Sequence, residues 1–183
     1  MREFILYSRR GKTSANFESL REGGRLDVVY QCLLLGLFTS GAIRRNVVFH
    51  VVLGGPPRPP LHLTINGESL RDVRTDERSW EEILKKVLSD REHPGIAVGK
   101  ESLQELVKQK TNVFVLEEKG EDVWNVELGE NPVFVLGDQV GLPKKDERYV
   151  LRYGHKLSLG KQPYLAATCV DIVNYLADQQ NVL

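Results

Sequence analysis

The chain alternates between short runs of apolar residues and longer segments in which apolar residues recur every three to four positions. The short runs predict strands at 2–8, 46–54, 95–99, 112–118, 131–137 and 155–160, with a further strand-like run at 148–154. The helical spacing predicts helices at 26–41, 76–90, 102–110 and from about Tyr164 to Ala177. Such an alternation predicts an α/β layered fold with a mostly parallel sheet.

Local signals add detail to this outline. Asp27 stands where the first helix begins, which predicts that it is the N-cap. Ser102, with Glu105 three residues later, predicts a capping box. Asn66-Gly67 between "LHLTING" and "ESLRDV" predicts a tight hairpin turn. Residues 61–75 are therefore expected to form a small hairpin extension of a single domain that spans residues 1–183.

Two of the predicted strands end in glycine turns, "VFVLGD" and "LSLGK". Parallel sheets bind ligands beyond the carboxyl ends of their strands, and glycine lets a ligand approach the backbone closely. The expected ligand site contains Leu136, Gly137, Leu157, Leu159 and Gly160, although each glycine taken alone is equally well explained as a plain turn. The chain has no P-loop, no GxGxxG after a strand and no GxSxG elbow.

The chain carries no net charge, with 25 Lys and Arg against 25 Asp and Glu. A general nucleic-acid-binding protein is usually basic. Local clusters remain at "SRRGK" (8–12), "IRR" (43–45) and "RDVRTDER" (71–78). They fit a protein that touches RNA at one face, and the alternative, which composition alone favours, is that they are solvated loop charges.

Several classes of protein are disfavoured by the remaining residues. Cys32 and Cys169 lie far apart without a CxxC partner and the four histidines are scattered, so neither a disulfide framework nor a metal site is expected. The longest apolar run, "QCLLLGLF", is too short to cross a membrane, and the N-terminus lacks a signal-peptide layout. A cytoplasmic protein with no membrane partner is therefore expected.

"FVLGDQVGL" followed by "LSLGKQPYLAATCVDIVNYLAD" resembles the C-terminal cofactor region of the SPOUT methyltransferases. With "MREFIL", "GGRLDVVYQCLLLGLFTSGAIRRNVVFHVVLGGPPRPP" and "TDERSW", nearly all of the chain is similar to the archaeal TrmY family, the tRNA pseudouridine-54 N1-methyltransferases. The resemblance implies a SPOUT-type α/β knot with a C-terminal trefoil knot, S-adenosylmethionine (SAM) as cofactor, tRNA as substrate and a homodimer.

The resemblance also implies site residues. The residues carried over to the cofactor pocket are Leu136, Gly137, Leu157, Ser158, Leu159, Gly160, Leu165 and Cys169. For Cys169, the alternative is a buried core position on a helical stripe, and a nucleophilic thiol is not expected because no neighbouring cation would lower its pKa. Arginines suit phosphate binding, and the candidates are Arg25, Arg44, Arg45, Arg74 and Arg78.

Methylation of N1 requires that the ring nitrogen be aligned with the methyl group and lose its proton, which a carboxylate can accept. The candidates are Asp27 and Asp76, with Asp138 a third possibility. Their structural alternatives are a helix N-cap for Asp27, an ion pair with arginine for Asp76 and a turn residue for Asp138. Water as the proton acceptor also stays open.

Two other functions compete with this hypothesis. A related enzyme that methylates a pseudouridine in small-subunit rRNA would share the cofactor pocket, and a non-catalytic RNA-binding module could keep it. The zero net charge favours tRNA over rRNA, and the intact glycines and "RTDER" argue against a decayed site. A hydrolase or phosphotransferase lacks every expected motif.

Overall fold

The computed structural model describes residues 1–180 and is built on one seven-stranded sheet with the order β6-β5-β4-β1-β8-β7-β9. Its strands are β1 (Arg2–Ser8), β4 (Val47–Leu53), β5 (Leu61–Asn66), β6 (Ile96–Gly99), β7 (Val113–Asp122), β8 (Val133–Gly137) and β9 (Gly154–Ser158), while β2 (Phe38–Thr39) and β3 (Ala42–Ile43) form a separate two-stranded ribbon. The five neighbouring strands β4, β1, β8, β7 and β9 pair in parallel. β5 pairs antiparallel with both β4 and β6. The mostly parallel α/β sheet is confirmed, whereas the trefoil knot stays a prediction.

Helices cover both faces of the sheet. They are α1 (Leu26–Leu37), α2 (Glu77–Leu88), α3 (Leu103–Val107), α4 (Lys144–Val150) and α5 (Ala166–Gln179). The side chains of α1, α2 and α5 pack with Phe4 and Leu6 on one face, and those of α3 and α4 pack with Ile5 on the other. Within residues 1–180, no helix is both long and apolar enough to span a bilayer.

Two predicted elements are wrong. The run at 148–154 is not a strand, because the last three residues of α4 and the turn after it occupy all but Gly154, the first residue of β9. Parallel strands such as β8 and β9 need a crossover, and the single buried residue of α4, Val150, anchors that crossover to the sheet. The expected hairpin at 61–75 does not form either, because β5 pairs with β4 and β6 while residues 68–75 contain no strand.

The start of α1 also differs from the prediction. Its N-cap is Arg25, in the left-handed conformation with φ 68°, and Asp27 lies in the first turn. A carboxylate in the first turn is still favourable there because the N-terminal amides of a helix carry partial positive charge. The capping box of Ser102 and Glu105 is confirmed at the start of α3.

A buried arginine joins α5 to the central strand. Arg2 is 1% exposed, and its guanidinium donates to the backbone and side-chain oxygens of Asn174 and, at 2.7 Å, to the carboxylate of Asp178. The Asn174 amide donates in turn to the carbonyls of Leu35 and Gly36 in α1. These bonds set the position of α5 relative to both the sheet and α1.

A polar chain crosses the sheet from β1 to β6. The Glu3 carboxylate lies 2.5 Å from Lys110 Nζ and 2.8 Å from His50 Nε2, and His50 Nδ1 lies 2.9 Å from His62 Nε2. His62 Nδ1 completes the chain, 3.1 Å from the Glu101 carboxylate. Burial opposes ionisation of Glu3, but the hydrogen bonds from His50 and Lys110 outweigh it and lower the pKa of Glu3 to about 2.

The low pKa of Glu3 predicts how folding stability depends on acid. Because the pKa falls from 4.5 in the unfolded chain to about 2 when folded, the contribution of Glu3 is present above pH 4.5 and is lost as the pH falls towards 2. This contribution is about 3 kcal/mol. Glu3→Gln should therefore lower stability at pH 7 and flatten its decline below pH 5, as measured by urea unfolding at several pH values.

The control is Glu82→Gln, which removes a carboxylate that is exposed and paired only with Arg78. This variant should keep the acid dependence of the unsubstituted protein. An equally steep decline in Glu3→Gln would show that Glu3 is not the group that titrates.

Candidate functional site

A pocket of about 670 Å³ lies at the carboxyl ends of β7, β8 and β9. Three chain segments form most of its wall: the part of β7 that follows its pairing with β8, the turn after β8 and the loop between β9 and α5. Seven of the eight residues predicted for cofactor binding line it, namely Leu136, Gly137, Leu157, Leu159, Gly160, Leu165 and Cys169. The sheet topology explains this, because parallel neighbours end at the same edge.

Glycine is required at the turn after β8. A Cβ atom on Gly137 would lie 2.3 Å from the Gly141 carbonyl carbon and 2.5 Å from the Leu142 nitrogen, both backbone atoms. Gly160 has φ +123°, a conformation that L side chains rarely adopt, and the space where its Cβ would lie is open. The two glycine turns of the sequence therefore hold the backbone in conformations that larger residues would strain.

Asp138 joins the turn after β8 to the loop after β1. Its carboxylate accepts hydrogen bonds from the Arg9 amide at 2.9 Å and the Val140 amide at 3.0 Å, and its own amide donates to the Tyr7 carbonyl. Asp138 is 6% exposed. Because both oxygens already bind backbone amides of the same chain, its role here is to position the turn.

The floor of the pocket is apolar and contains one thiol. Cys169 is half-buried on α5, and burial raises its pKa. Behind it, burial also raises the pKa of the fully buried Cys32. Both thiols stay protonated at neutral pH, so Cys169 contacts the pocket as a small apolar group and not as a nucleophile.

Arg25 and Asp27 form a fork-shaped ion pair at the rim of the pocket. Arg25 Nε lies 2.9 Å from Asp27 Oδ1, and Arg25 Nη2 lies 3.0 Å from Oδ2. This hydrogen bond raises the pKa of Arg25. Arg25 itself lines the pocket together with Val28 and Gln31 of α1. A non-glycine residue in the left-handed conformation stores strain that is often found at functional sites.

Acidic residues dominate the charge of the pocket wall. Glu117 and Glu118, which follow the part of β7 that pairs with β8, line it, and no hydrogen bond or ion pair to either side chain is found among residues 1–180. Glu117 is half-buried, and burial together with repulsion from Glu147 and Glu118 raises its pKa. These two carboxylates thus line the pocket beside one guanidinium, that of Arg25, which Asp27 already pairs, so the pocket favours a cationic ligand.

The remaining predicted residues lie elsewhere. The Ser158 hydroxyl donates to the carbonyls of Glu118 and Gly160 behind the pocket wall. Asp76 caps α2 by accepting from the Ser79 amide and hydroxyl, and these hydrogen bonds lower its pKa. A lowered pKa makes Asp76 a weaker base. Its catalytic role stays a prediction.

Four of the five predicted arginines are not brought to the pocket. Arg44 forms an ion pair with Asp178, and Arg45 is exposed in the turn before β4, so both lie at the opposite edge of the sheet. Arg74 is exposed before α2, and Arg78 pairs with Glu82. Of the five, only Arg25 lines the pocket.

Sequence reasoning missed several pocket residues. They are Gln31, Glu117, Glu118, Gln139, Val140, Gly141, Leu142, Gln162, Pro163 and Tyr164. The segments "GDQVG" and "KQPY", which directly follow the two glycine turns, were the available signal for most of them. Glu117 and Gln31 had none, because only the folded chain brings β7 and α1 to this edge.

A second cleft, of about 830 Å³, lies beside the edge strand β6 and is lined by Arg58, His93 and Lys100 among others. No parallel strand ends there, and it is distant in the sheet from β7, β8 and β9. The smaller pocket therefore fits the rule for ligand sites in parallel sheets, although the second cleft is larger. Within residues 1–180, no three His, Cys, Asp or Glu side chains are grouped to hold a metal ion.

Comparisons with known proteins identify the family of this chain. The model of a family described as "Putative SAM-dependent RNA methyltransferase" matches residues 1–182. A tRNA (pseudouridine(54)-N(1))-methyltransferase of Methanocella arvoryzae is 35% identical over 193 residues, covering 98% of this chain and all of that protein. The enzyme of the same name from Methanocaldococcus jannaschii is also 35% identical, over 203 residues, covering 100% and 98%.

Solved structures share the fold. Nep1 of Archaeoglobus fulgidus, crystallised with S-adenosylhomocysteine, superimposes with a TM-score of 0.76 at 15% identity and covers 98% of both chains. The ribosomal RNA small subunit methyltransferase E of Neisseria gonorrhoeae, bound to SAM, gives 0.53 at 12% identity, covering 99% of this chain and 66% of that one. The match over residues 1–182 and the full-length relatives show that this chain belongs to the SAM-dependent RNA methyltransferase family that includes the archaeal tRNA pseudouridine-54 N1-methyltransferases.

Proposed function

We propose that this protein transfers a methyl group from SAM to N1 of pseudouridine 54 in the T-loop of tRNA. The observation that carries the proposal is the Arg25–Asp27 fork at the rim of a leucine- and glycine-walled pocket, in a chain whose full-length relatives bear this activity in their names. A cytoplasmic location is part of the proposal, because tRNA is a cytoplasmic substrate.

The residues of the pocket fit SAM. Its volume of about 670 Å³ is ordinary for a cofactor site. Leu136, Leu157 and Leu159 offer apolar walls for an adenine ring, and Gly137 and Gly160 expose backbone groups beside them. Glu117 and Glu118 supply negative charge for a ligand that carries a sulfonium and an ammonium group.

When bound, SAM supplies an electrophilic methyl group. The Asp27 carboxylate accepts the proton that leaves N1 of pseudouridine, so that the nitrogen lone pair is free to form the new bond to carbon. Arg25 holds this carboxylate by two hydrogen bonds and fixes its direction at the rim. The apolar floor, including the protonated Cys169, excludes water from the reacting groups.

The proposal includes a homodimer in which α5 packs against the partner. It is supported by large apolar side chains that α5 and the loop before it leave in solvent: Leu165 is 72% exposed and Tyr175 is 58% exposed. Exposed aromatic and large apolar side chains are typical of subunit interfaces.

The function is tested with radiolabelled SAM and three RNAs: a tRNA transcript with pseudouridine at position 54, the same tRNA with uridine there, and an rRNA helix that contains a pseudouridine. We expect label only on the first, with the methyl group mapped to N1 by mass spectrometry. Label on the rRNA helix alone would assign the enzyme to rRNA. SAM binding without label on any RNA would indicate that the protein is a non-catalytic RNA-binding module.

Asp27→Asn should slow the single-turnover rate of methyl transfer by about 10²- to 10⁴-fold, because the amide cannot accept the N1 proton. The Kd for SAM, measured by calorimetry, should stay unchanged. Asp76→Asn is the comparison variant, because Asp76 caps α2 through Ser79. It should lower thermal stability but not the rate. A normal rate in Asp27→Asn together with a slow rate in Asp76→Asn would instead assign the role of proton acceptor to Asp76.

Glu117→Gln should weaken SAM binding by about tenfold and leave the affinity for S-adenosylhomocysteine nearly unchanged, since only SAM carries the sulfonium charge. Titration calorimetry measures both Kd values. Glu118→Gln is the comparison variant, because this neighbouring carboxylate also lines the pocket but is exposed, so solvent screens its charge and the variant should weaken SAM binding by a smaller factor. If Glu117→Gln weakened the binding of both ligands equally, the side chain would support the pocket wall and would not interact with the sulfonium charge.

In solution, light scattering should give twice the chain mass of 20.7 kDa. Tyr175→Glu should give the monomer mass, because a carboxylate would be desolvated in the proposed interface. Tyr153→Glu replaces an exposed tyrosine away from α5 and should remain dimeric. A monomeric unsubstituted protein would overturn the dimer.

A further inference from the structure

We propose that four exposed cations beside the pocket, Arg10, Lys144, Lys145 and Arg148, form a binding surface for the phosphate backbone of the substrate RNA. This surface is called the basic rim below. The inference rests on the proposed function and names the part of the protein that holds the tRNA outside its reacting nucleotide. None of these four residues belongs to the arginine set that sequence reasoning selected.

The cations of the basic rim have no carboxylate partner. None of the ion pairs among residues 1–180 involves Arg10, Lys144, Lys145 or Arg148. The two acidic residues of α4 are engaged, since Asp146 accepts from Gln104 and Glu147 pairs with Lys156. The outward charge of α4 is therefore positive in a chain whose net charge is zero.

Backbone contacts connect the basic rim to the active site. The loop that carries Arg10 touches the turn before Asp27, because the Lys12 amide donates to the Gly23 carbonyl. The same loop touches the turn after β8, because the Arg9 guanidinium donates to the Gly141 carbonyl at 3.2 Å. This turn leads directly into α4, only two residues after Leu142 of the pocket wall. The cations therefore border the pocket from the Asp27 side to α4.

The carboxylates that line the pocket complement the positive charge of SAM, and the cations of the basic rim complement the negative charge of RNA. Glu117 and Glu118 line the pocket, where a cationic cofactor fits, while the exposed cations of the basic rim lie beside it, where a polyanion can reach them. Acidic groups facing the RNA would repel its phosphates. Lysine and arginine side chains that carry no intramolecular ion pair release counterions when phosphates bind, and this release drives much of RNA affinity.

The test measures the affinity of the intact protein for unmodified and pseudouridine-containing tRNA by filter binding between about 50 and about 300 mM KCl. Lys144→Gln with Lys145→Gln should weaken tRNA binding by at least about tenfold near 0.1 M salt and lower the log–log salt slope by about 1.5 to 2. Arg10→Gln should lower the slope by about 0.8. Replacement of both lysines by arginine should preserve binding, and the Kd for SAM should stay unchanged in every variant.

The matched control is the other adjacent lysine pair, Lys85 and Lys86 near the end of α2, replaced by glutamine in the same way. It removes the same charge from a helix that does not border the pocket, and because Lys85 pairs with Glu81, thermal unfolding first checks that the variant is folded; the salt slope should then be unchanged. Equal effects of the two double variants, or no effect of either, would overturn the basic rim. If the unsubstituted protein binds tRNA through the rim but does not methylate it, the rim stands and the proposed function fails.

Discussion

The hydrogen bonds of the buried Asp138 carboxylate hold together the parts of the molecule on which binding and chemistry depend. One oxygen binds the loop after β1 and the other binds the turn after β8, so two strand ends that adjoin in the sheet stay fixed relative to each other. A buried carboxylate must be paired or strongly hydrogen-bonded, and here backbone amides satisfy it. The pocket wall, the loop of the basic rim and the start of α4 all extend from this junction.

A second anchor sets the floor of the pocket. Arg2 at the start of the central strand binds Asn174 and Asp178 of α5, while Asn174 binds carbonyls of α1. These contacts lie at the opposite edge of the sheet from the pocket. They fix the tilt of the helix that carries Cys169 and explain why Arg44, which shares Asp178 with Arg2, serves the fold and not the pocket.

The charge distribution explains how a protein with no net charge can bind an RNA substrate. The carboxylates of Glu117 and Glu118 lie in the middle of β7 and line the pocket, and cations that have no ion pair among residues 1–180 lie outside the pocket on α4 and the loop after β1. The electrostatic potential at one part of a protein surface depends on where the charges are placed and not on their total. Net charge therefore excluded a generally basic protein without excluding an enzyme that holds RNA along one rim.

The sequence by itself determined the alternating α/β order, the glycine turns at 137 and 160 and the apolar positions around them, because these follow from periodicity and from backbone conformations that only glycine adopts easily. The strand predicted at 148–154 was wrong, since these residues contain the end of α4, and a seven-residue helix with one buried position carries almost no periodic signal. Only the tertiary structure decided that β5 pairs with β6 and that Asp138 is a positioning group. It also decided that Glu117 lines the pocket and that Arg25, and not Arg44, lies at the rim of the pocket. Those outcomes depend on contacts between residues more than 100 positions apart or on strand order, which local pattern does not encode.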